Sequence, residues 1–141
     1  VIAAIHQSFN QSEDEIMKRL EVACKNPYVR HIAHPTGRII GRRPGYKPNI
    51  EKLMKLAEET NTILEINANP KRLDLNAETV RKYPNVKLTI NTDAHHTNHL
   101  EFMKYGVATA QKGFVTKDRV INALSREEFK SLVENNIKLK K

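Results

Sequence analysis

Two periodicities take turns along this chain, a run of apolar or alternating positions suited to a strand and then an apolar stripe at helical spacing. Val1 to Ile5 is apolar and rich in β-branched residues, which predicts a buried strand that reaches His6 before the polar loop Gln7 to Gln11. Ser12 with Glu15 three residues later forms a capping box, and Ile16, Leu20 and Ala23, with Met17 and Cys24 beside them, give a helix that stops at Asn26-Pro27. Val29 to Ala33 predicts a second strand, closed by His34-Pro35-Thr36-Gly37, where Pro and Gly force a turn. Asn49 caps a helix with Ile50, Leu53, Met54 and Ala57 on one face, and Thr62 to Asn67 predicts a third strand ended by Ala68-Asn69-Pro70. A short helix over 76–82, closed by Pro84, leads to a fourth strand, Val86 to Asn91, whose apolar and polar residues alternate. Residues 99–105 read as helical and Gly106 to Ala110 as a last short strand. Two helices then close the chain, with Ser125 and Glu128 as a second capping box.

Strand and helix in strict alternation argue for parallel strands joined by crossover helices, an α/β sheet or barrel with its reactive groups at the carboxyl ends of the strands. A length of 141 residues suits one domain or part of one, and no repeat or linker divides residues 1–141. The chain begins inside an apparent strand without an initiator Met, so a fragment of something longer is expected. No apolar run approaches the roughly 20 residues of a membrane span, and no signal-peptide pattern is present, which predicts a soluble, cytoplasmic protein with no membrane partner. A single cysteine, Cys24, excludes an internal disulfide and reads as a small helix residue. The net charge of +8, from 24 Lys and Arg against 16 Asp and Glu, favours polyanions such as nucleic acid but names none.

The predicted strand ends carry the candidate chemistry. His6, His34 and the pair Asp93 and His95 each follow a strand, and parallel strands deliver their ends to one rim. In an extended chain Asp93 and His95 point to the same side. Imidazole nitrogen and carboxylate oxygen suit Zn, Mn or Fe, ions that lower the pKa of bound water and polarise phosphoryl oxygens, so the implied chemistry is metal-assisted hydrolysis. Taken singly, each histidine is equally at home as a hydrogen-bonded loop residue. His31 lies within its strand and packs or faces solvent, while His96 and His99 either support the ligands or stand exposed. The irregular loop after His34 holds Arg38, Arg42, Arg43 and Lys47; Arg38 is placed to fork onto a phosphate, and all four are candidates for nucleic-acid contact or for a solvated face. Glu65, the acid inside the third strand, shares a face with Asn67 and is expected to support the ligands rather than to bind metal. No P-loop, dinucleotide fingerprint, nucleophile elbow or CxxC occurs.

Four stretches carry a more specific likeness: Ile5-His6-Gln7-Ser8-Phe9, Ala33-His34-Pro35-Thr36-Gly37-Arg38, Leu64 to Pro70 followed by Arg72-Leu73-Asp74-Leu75, and Asn91-Thr92-Asp93-Ala94-His95. In this order they resemble the later motifs of the polymerase and histidinol phosphatase (PHP) domain, in the version attached to bacterial family X DNA polymerases. The resemblance implies the carboxyl-terminal part of a distorted (β/α)7 barrel whose strand ends hold three metal ions, with His6, His34, Asp93 and His95 as matched ligands. It implies manganese-favoured hydrolysis of phosphodiesters, a 3'-5' exonuclease working in DNA repair, with DNA and the rest of a polymerase chain as partners. The opening His-x-His motif, a further aspartate and histidine, and the metal-bridging glutamate of the family are expected before Val1, so the isolated chain is expected to be a poor nuclease with open edges that favour self-association. A small phosphate-monoester hydrolase and a non-catalytic DNA-binding or polymerase-supporting module are the alternatives.

Overall fold

Strands β1 (Ile2–Ala3), β2 (His31–Ile32), β3 (Ile63–Asn67) and β4 (Leu88–Asn91) lie side by side, all parallel, in the order in which the chain makes them. The computed structural model describes residues 1–139, with side chains through Asn135. Helix α1 (Glu13–Lys25) connects β1 to β2, α2 (Ile50–Glu59) connects β2 to β3, and α3 (Ala77–Lys82) connects β3 to β4. Right-handed crossovers between neighbouring strands place successive helices on one face of the sheet, where α1 packs on α2 and α3 on α4 (Met103–Lys112). The helix starts follow local chemistry. Ser12 and Glu15 cap α1 reciprocally, with Glu15 N donating to Ser12 Oγ at 3.3 Å and Ser12 N to Glu15 Oε2 at 2.9 Å. Asn49 and Asn76 accept from Lys52 N and Thr79 N at the starts of α2 and α3.

Both faces of the sheet are covered, which is why β3 is buried at every position. Leu64, Ile66, Leu88 and Ile90 join Ile16, Leu20, Leu53, Met54 and Ala57 in the helix-side core. Each fully buried Leu or Ile contributes about 1.5–3 kcal/mol of transfer free energy, so this layer is the main cohesive element. The opposite face presents His31, Ile63, Thr89 and Asn91, which with Arg30 and Phe129 of α5 (Arg126–Leu139) line a cavity of about 320 Å³. His31 is buried there, its Nε2 2.8 Å from Thr89 Oγ1, and burial lowers its pKa.

The tail of the domain departs from the predicted pattern. Gly106 to Ala110 is not a strand but the middle of α4, which follows a 3₁₀ helix over Thr97–Phe102. Gly106 explains the choice, because a Cβ there would stand 2.4 Å from Ile90 Cγ2 and 2.7 Å from Ala68 Cβ. The glycine lets a helix lie close against β3 and β4, and its neighbours Val107, Ala108 and Ala110 are as compatible with helix as with strand. The chain closes with two short 3₁₀ turns, Lys117–Arg119 and Ile121–Ala123, and one α-helix, α5, in place of two helices. These turns seal the outer edge of β4. Asn122 accepts from Ile90 N at 3.1 Å and donates to Ile90 O at 2.8 Å, and Val120 bridges to Leu88.

Arg119 holds this closure by donating to the carbonyls of Val80, Tyr83 and Val86 at 2.9 to 3.3 Å, satisfying oxygens at the end of α3 and before β4. Arg119→Ala leaves those buried carbonyls without donors and removes bonds from a charged group, so it should destabilise the fold by about 3 kcal/mol. Urea denaturation checks this, and a loss below about 0.5 kcal/mol would show the carbonyls find other partners.

Candidate functional site

The carboxyl ends of the strands form a rim built around Glu65. Its side chain is buried in β3 and accepts from three donors: His34 N (2.7 Å) and Asn67 Nδ2 (3.0 Å) at Oε2, and Asn91 Nδ2 (3.0 Å) at Oε1. A carboxylate in so little water needs such partners, and here they come from the turn after β2, from β3 and from β4. Glu65 and Asn67 thus position the rim, and Asn67 Oδ1 also accepts from Asn69 N at 3.1 Å to begin the turn after β3.

His34 and Asp93 both have left-handed backbones, with φ of 32° and 52°, which is costly for residues other than glycine. Such strain persists only where surrounding contacts hold it. At His34 the amide is fixed by Glu65 and the carbonyl accepts from Tyr46 Oη at 3.3 Å. The Tyr46 ring in turn lies against Gly37, where a Cβ would meet Tyr46 Cε1 at 2.3 Å, so Pro35 to Gly45 forms a tight collar behind the histidine.

The four predicted ligands are brought together as two pairs. The rings of His6 and His34 meet edge to face with centroids 5.2 Å apart, the first exposed and the second buried. His95 Nδ1 lies 2.7 Å from the carbonyl oxygen of Asp93 and 3.9 Å from its Oδ1. A carbonyl oxygen only accepts, so Nδ1 carries the proton and Nε2 keeps a free lone pair in the neutral ring. Arg72 pairs with one of the four, its Nε 3.0 Å from Asp93 Oδ2. Burial lowers the His34 pKa, Arg72 lowers it further, and Asp93 opposes them, which keeps this imidazole neutral.

Among the described residues, no three His, Cys, Asp or Glu side chains stand ready as a cage for one metal ion. The donor chemistry nevertheless fits a divalent transition metal: imidazoles and a carboxylate share the rim, and His34 Nδ1 is a buried nitrogen with no hydrogen-bond partner. The ion pair with Arg72 already neutralises Asp93.

The cationic loop is only partly turned outward. Arg38 donates through Nε to Arg72 O at 2.7 Å and through its terminal nitrogen to Leu73 O, so its fork joins two loops and does not reach outward. Arg43 donates to Gly37 O at 2.8 and 3.1 Å and lies over the Phe9 ring, 4.1 Å from its centroid. Arg42 and Lys47 are exposed. Two functional candidates escaped the sequence reading, Arg72 and Asp74. Both lie in the Arg72-Leu73-Asp74-Leu75 stretch, whose strand-like return, through the bridge of Asp74 to Asn67, no periodicity could signal.

With this geometry in place, the chain is 52% identical over 138 residues, 96% of its length, to the DNA polymerase/3'-5' exonuclease PolX of Bacillus subtilis (strain 168). The match lies in the carboxyl-terminal part of that protein. The likeness is therefore to one part of a bacterial PolX polymerase. It spans about a quarter (24%) of the length of the curated relative it matches. No family model matches the chain. No helix among the described residues is long and apolar enough to cross a membrane. The fully buried Asp74 is a further titrating group beside the rim.

Asp74 Oδ2 accepts from Thr36 N at 2.9 Å while Oδ1 is buried without a partner, and burial pushes the carboxyl up to about 6. A pKa raised on folding means the native state binds this proton more tightly. Its contribution to stability is therefore full below the unfolded value near 4, is lost as pH rises through about 6, and is flat above that. Between pH 4 and pH 7 this amounts to on the order of 3 kcal/mol. Asp74→Asn should remove that component, so stability measured against pH should differ in slope between variant and wild type over this window. Superimposable slopes would contradict the assignment.

Proposed function

We propose that this chain contributes the later strand ends of a PHP phosphoesterase centre that hydrolyses DNA phosphodiesters from the 3' end, as part of a bacterial family X repair polymerase. The single observation that supports it most is the rim itself: His6 beside His34 and Asp93 beside His95, held at parallel strand ends by buried Glu65. The 3'-5' exonuclease activity for which the Bacillus relative is named agrees with that chemistry. In this reading the four-stranded sheet is the later part of the family's barrel, and the remaining strands and ligands come from the rest of the polymerase chain.

His6, His34, Asp93 and His95 would hold divalent metal, with manganese favoured and zinc or iron as alternatives. Such a cation, when bound, acts as a Lewis acid on a phosphoryl oxygen and supplies a nucleophile at neutral pH. The chain's own residues do the positioning. Neutral His34 offers its lone pair without first losing a proton, and Glu65 fixes the turn that aims it. With Asp93 held by such a cation, Arg72 would have an uncompensated guanidinium whose fork matches two oxygens of a phosphodiester. Arg42 and Lys47 supply the outward charge for the backbone of a longer strand, so affinity should fall steeply with salt and vary little with base sequence.

The test is manganese-dependent release of nucleotides from single-stranded DNA by a chain extended through the whole barrel. His34→Ala and Asp93→Asn should each reduce the rate at least about 100-fold, while Arg72→Ala should reduce it by about 10-fold or more because one charge-assisted contact is lost. This chain without the extension should be nearly inactive. Equal rates per site for the short and extended chains, or full activity of His34→Ala, would contradict the reading.

A further inference from the structure

Aromatic rings recur at every third position directly after the rim: His96, His99, Phe102 and Tyr105. Inside the 3₁₀ helix Thr97–Phe102, at three residues per turn, His99 and Phe102 eclipse one another, flanked by His96 at the N-cap and Tyr105 in the first turn of α4. The rings accordingly form a row, with successive centroids 6.1, 4.9 and 6.2 Å apart, and His99 lies nearly parallel to Phe102, with 21° between the planes. The row starts at the rim, since His99 Nδ1 accepts from His95 N at 3.2 Å. Core packing accounts for one member only: Phe102 packs against the hydrophobic core, whereas His96 is exposed and Tyr105 is 41% exposed. Lys104 holds its ammonium 5.4 Å from the centroid of the Tyr105 ring, which puts a cation on the same strip.

We infer that this row is a stacking platform for the unpaired bases of a single-stranded polynucleotide whose end enters at Asp93 and His95. The inference rests on the proposed phosphodiester chemistry and adds the residues that hold the unpaired bases. Every base has a π-face, so rings with an adjacent cation bind single strands with little regard to sequence, while a duplex keeps its base faces stacked inside. Exposed His96 and Tyr105 stand at the two ends of the row, where a base can stack, and His99 and Phe102 stack on each other between them.

The experiment measures binding in a chelator, so that hydrolysis plays no part. A single-stranded oligonucleotide with 2-aminopurine near its 3' end, and a blunt duplex of the same sequence, are titrated with the chain and with the variants Tyr105→Leu and Phe102→Leu. Stacking predicts a change in 2-aminopurine emission on binding the single strand, a weaker response with the duplex, and at least about a fivefold loss of single-strand affinity in each variant. Leucine keeps the apolar contact that Phe102 makes with the core; if Phe102→Leu nevertheless unfolds, Tyr105→Leu on the exposed end decides alone. Unchanged single-strand affinity in Tyr105→Leu, or equal loss for strand and duplex, would overturn the platform and leave the strip as a surface for a protein partner. Hydrolysis that is sound while ring substitutions leave binding untouched would refute the platform only. Ring-dependent single-strand binding by a chain whose extended form hydrolyses nothing would refute the phosphodiester reading and keep the platform.

Discussion

A buried carboxylate with three donors is the constraint on which the rim depends. Glu65 gathers the amide of His34 from the turn after β2, Asn67 from its own strand and Asn91 from the end of β4. Each bond fixes one strand end relative to the others, and charge-assisted bonds in a low-dielectric setting are among the stronger ones a protein makes. An apolar residue at this position would leave the two asparagine amides and the His34 amide searching for acceptors. The ends of three strands would then be free to settle independently.

The remaining architecture supports that node from both sides. The helix-side layer of Leu64, Ile66, Leu88 and Ile90 fixes the sheet, Gly106 admits α4 close to it, and Asn122 with Arg119 seals the edge of β4. Above the sheet the turn residues His34 and Asp93 sit in left-handed conformations, strain that the Glu65 and Arg72 contacts hold in place. Arg72 then connects structure to chemistry. Its pairing with Asp93 neutralises a carboxylate at the rim, and in the proposed function the same guanidinium would meet phosphate.

Periodicity made most of this legible. The four parallel strands, the three connecting helices and the capping residues Ser12, Asn49 and Asn76 all rest on short-range patterns, and each can be read from a few consecutive residues. The strand-end positions of His34 and Asp93 followed from the same reasoning. What escaped it is long-range. Gly106 was ambiguous until the close approach of Ala68 and Ile90 was known, and the inward use of Arg38 and Arg43 depends on carbonyls of other loops. Arg72 could not be placed against Asp93 from spacing, because an irregular return beside β3 sets its position.

In the proposed function His6, His34, Asp93 and His95 would hold metal, with Asp93 no longer paired to Arg72. Anomalous diffraction at the manganese edge, from crystals of the barrel-containing chain grown with Mn2+, tests it directly. The account predicts manganese peaks among His6, His34, Asp93 and His95, with the Arg72 guanidinium no longer paired to Asp93. Manganese found only at other residues, with the Arg72 to Asp93 ion pair intact, would contradict it.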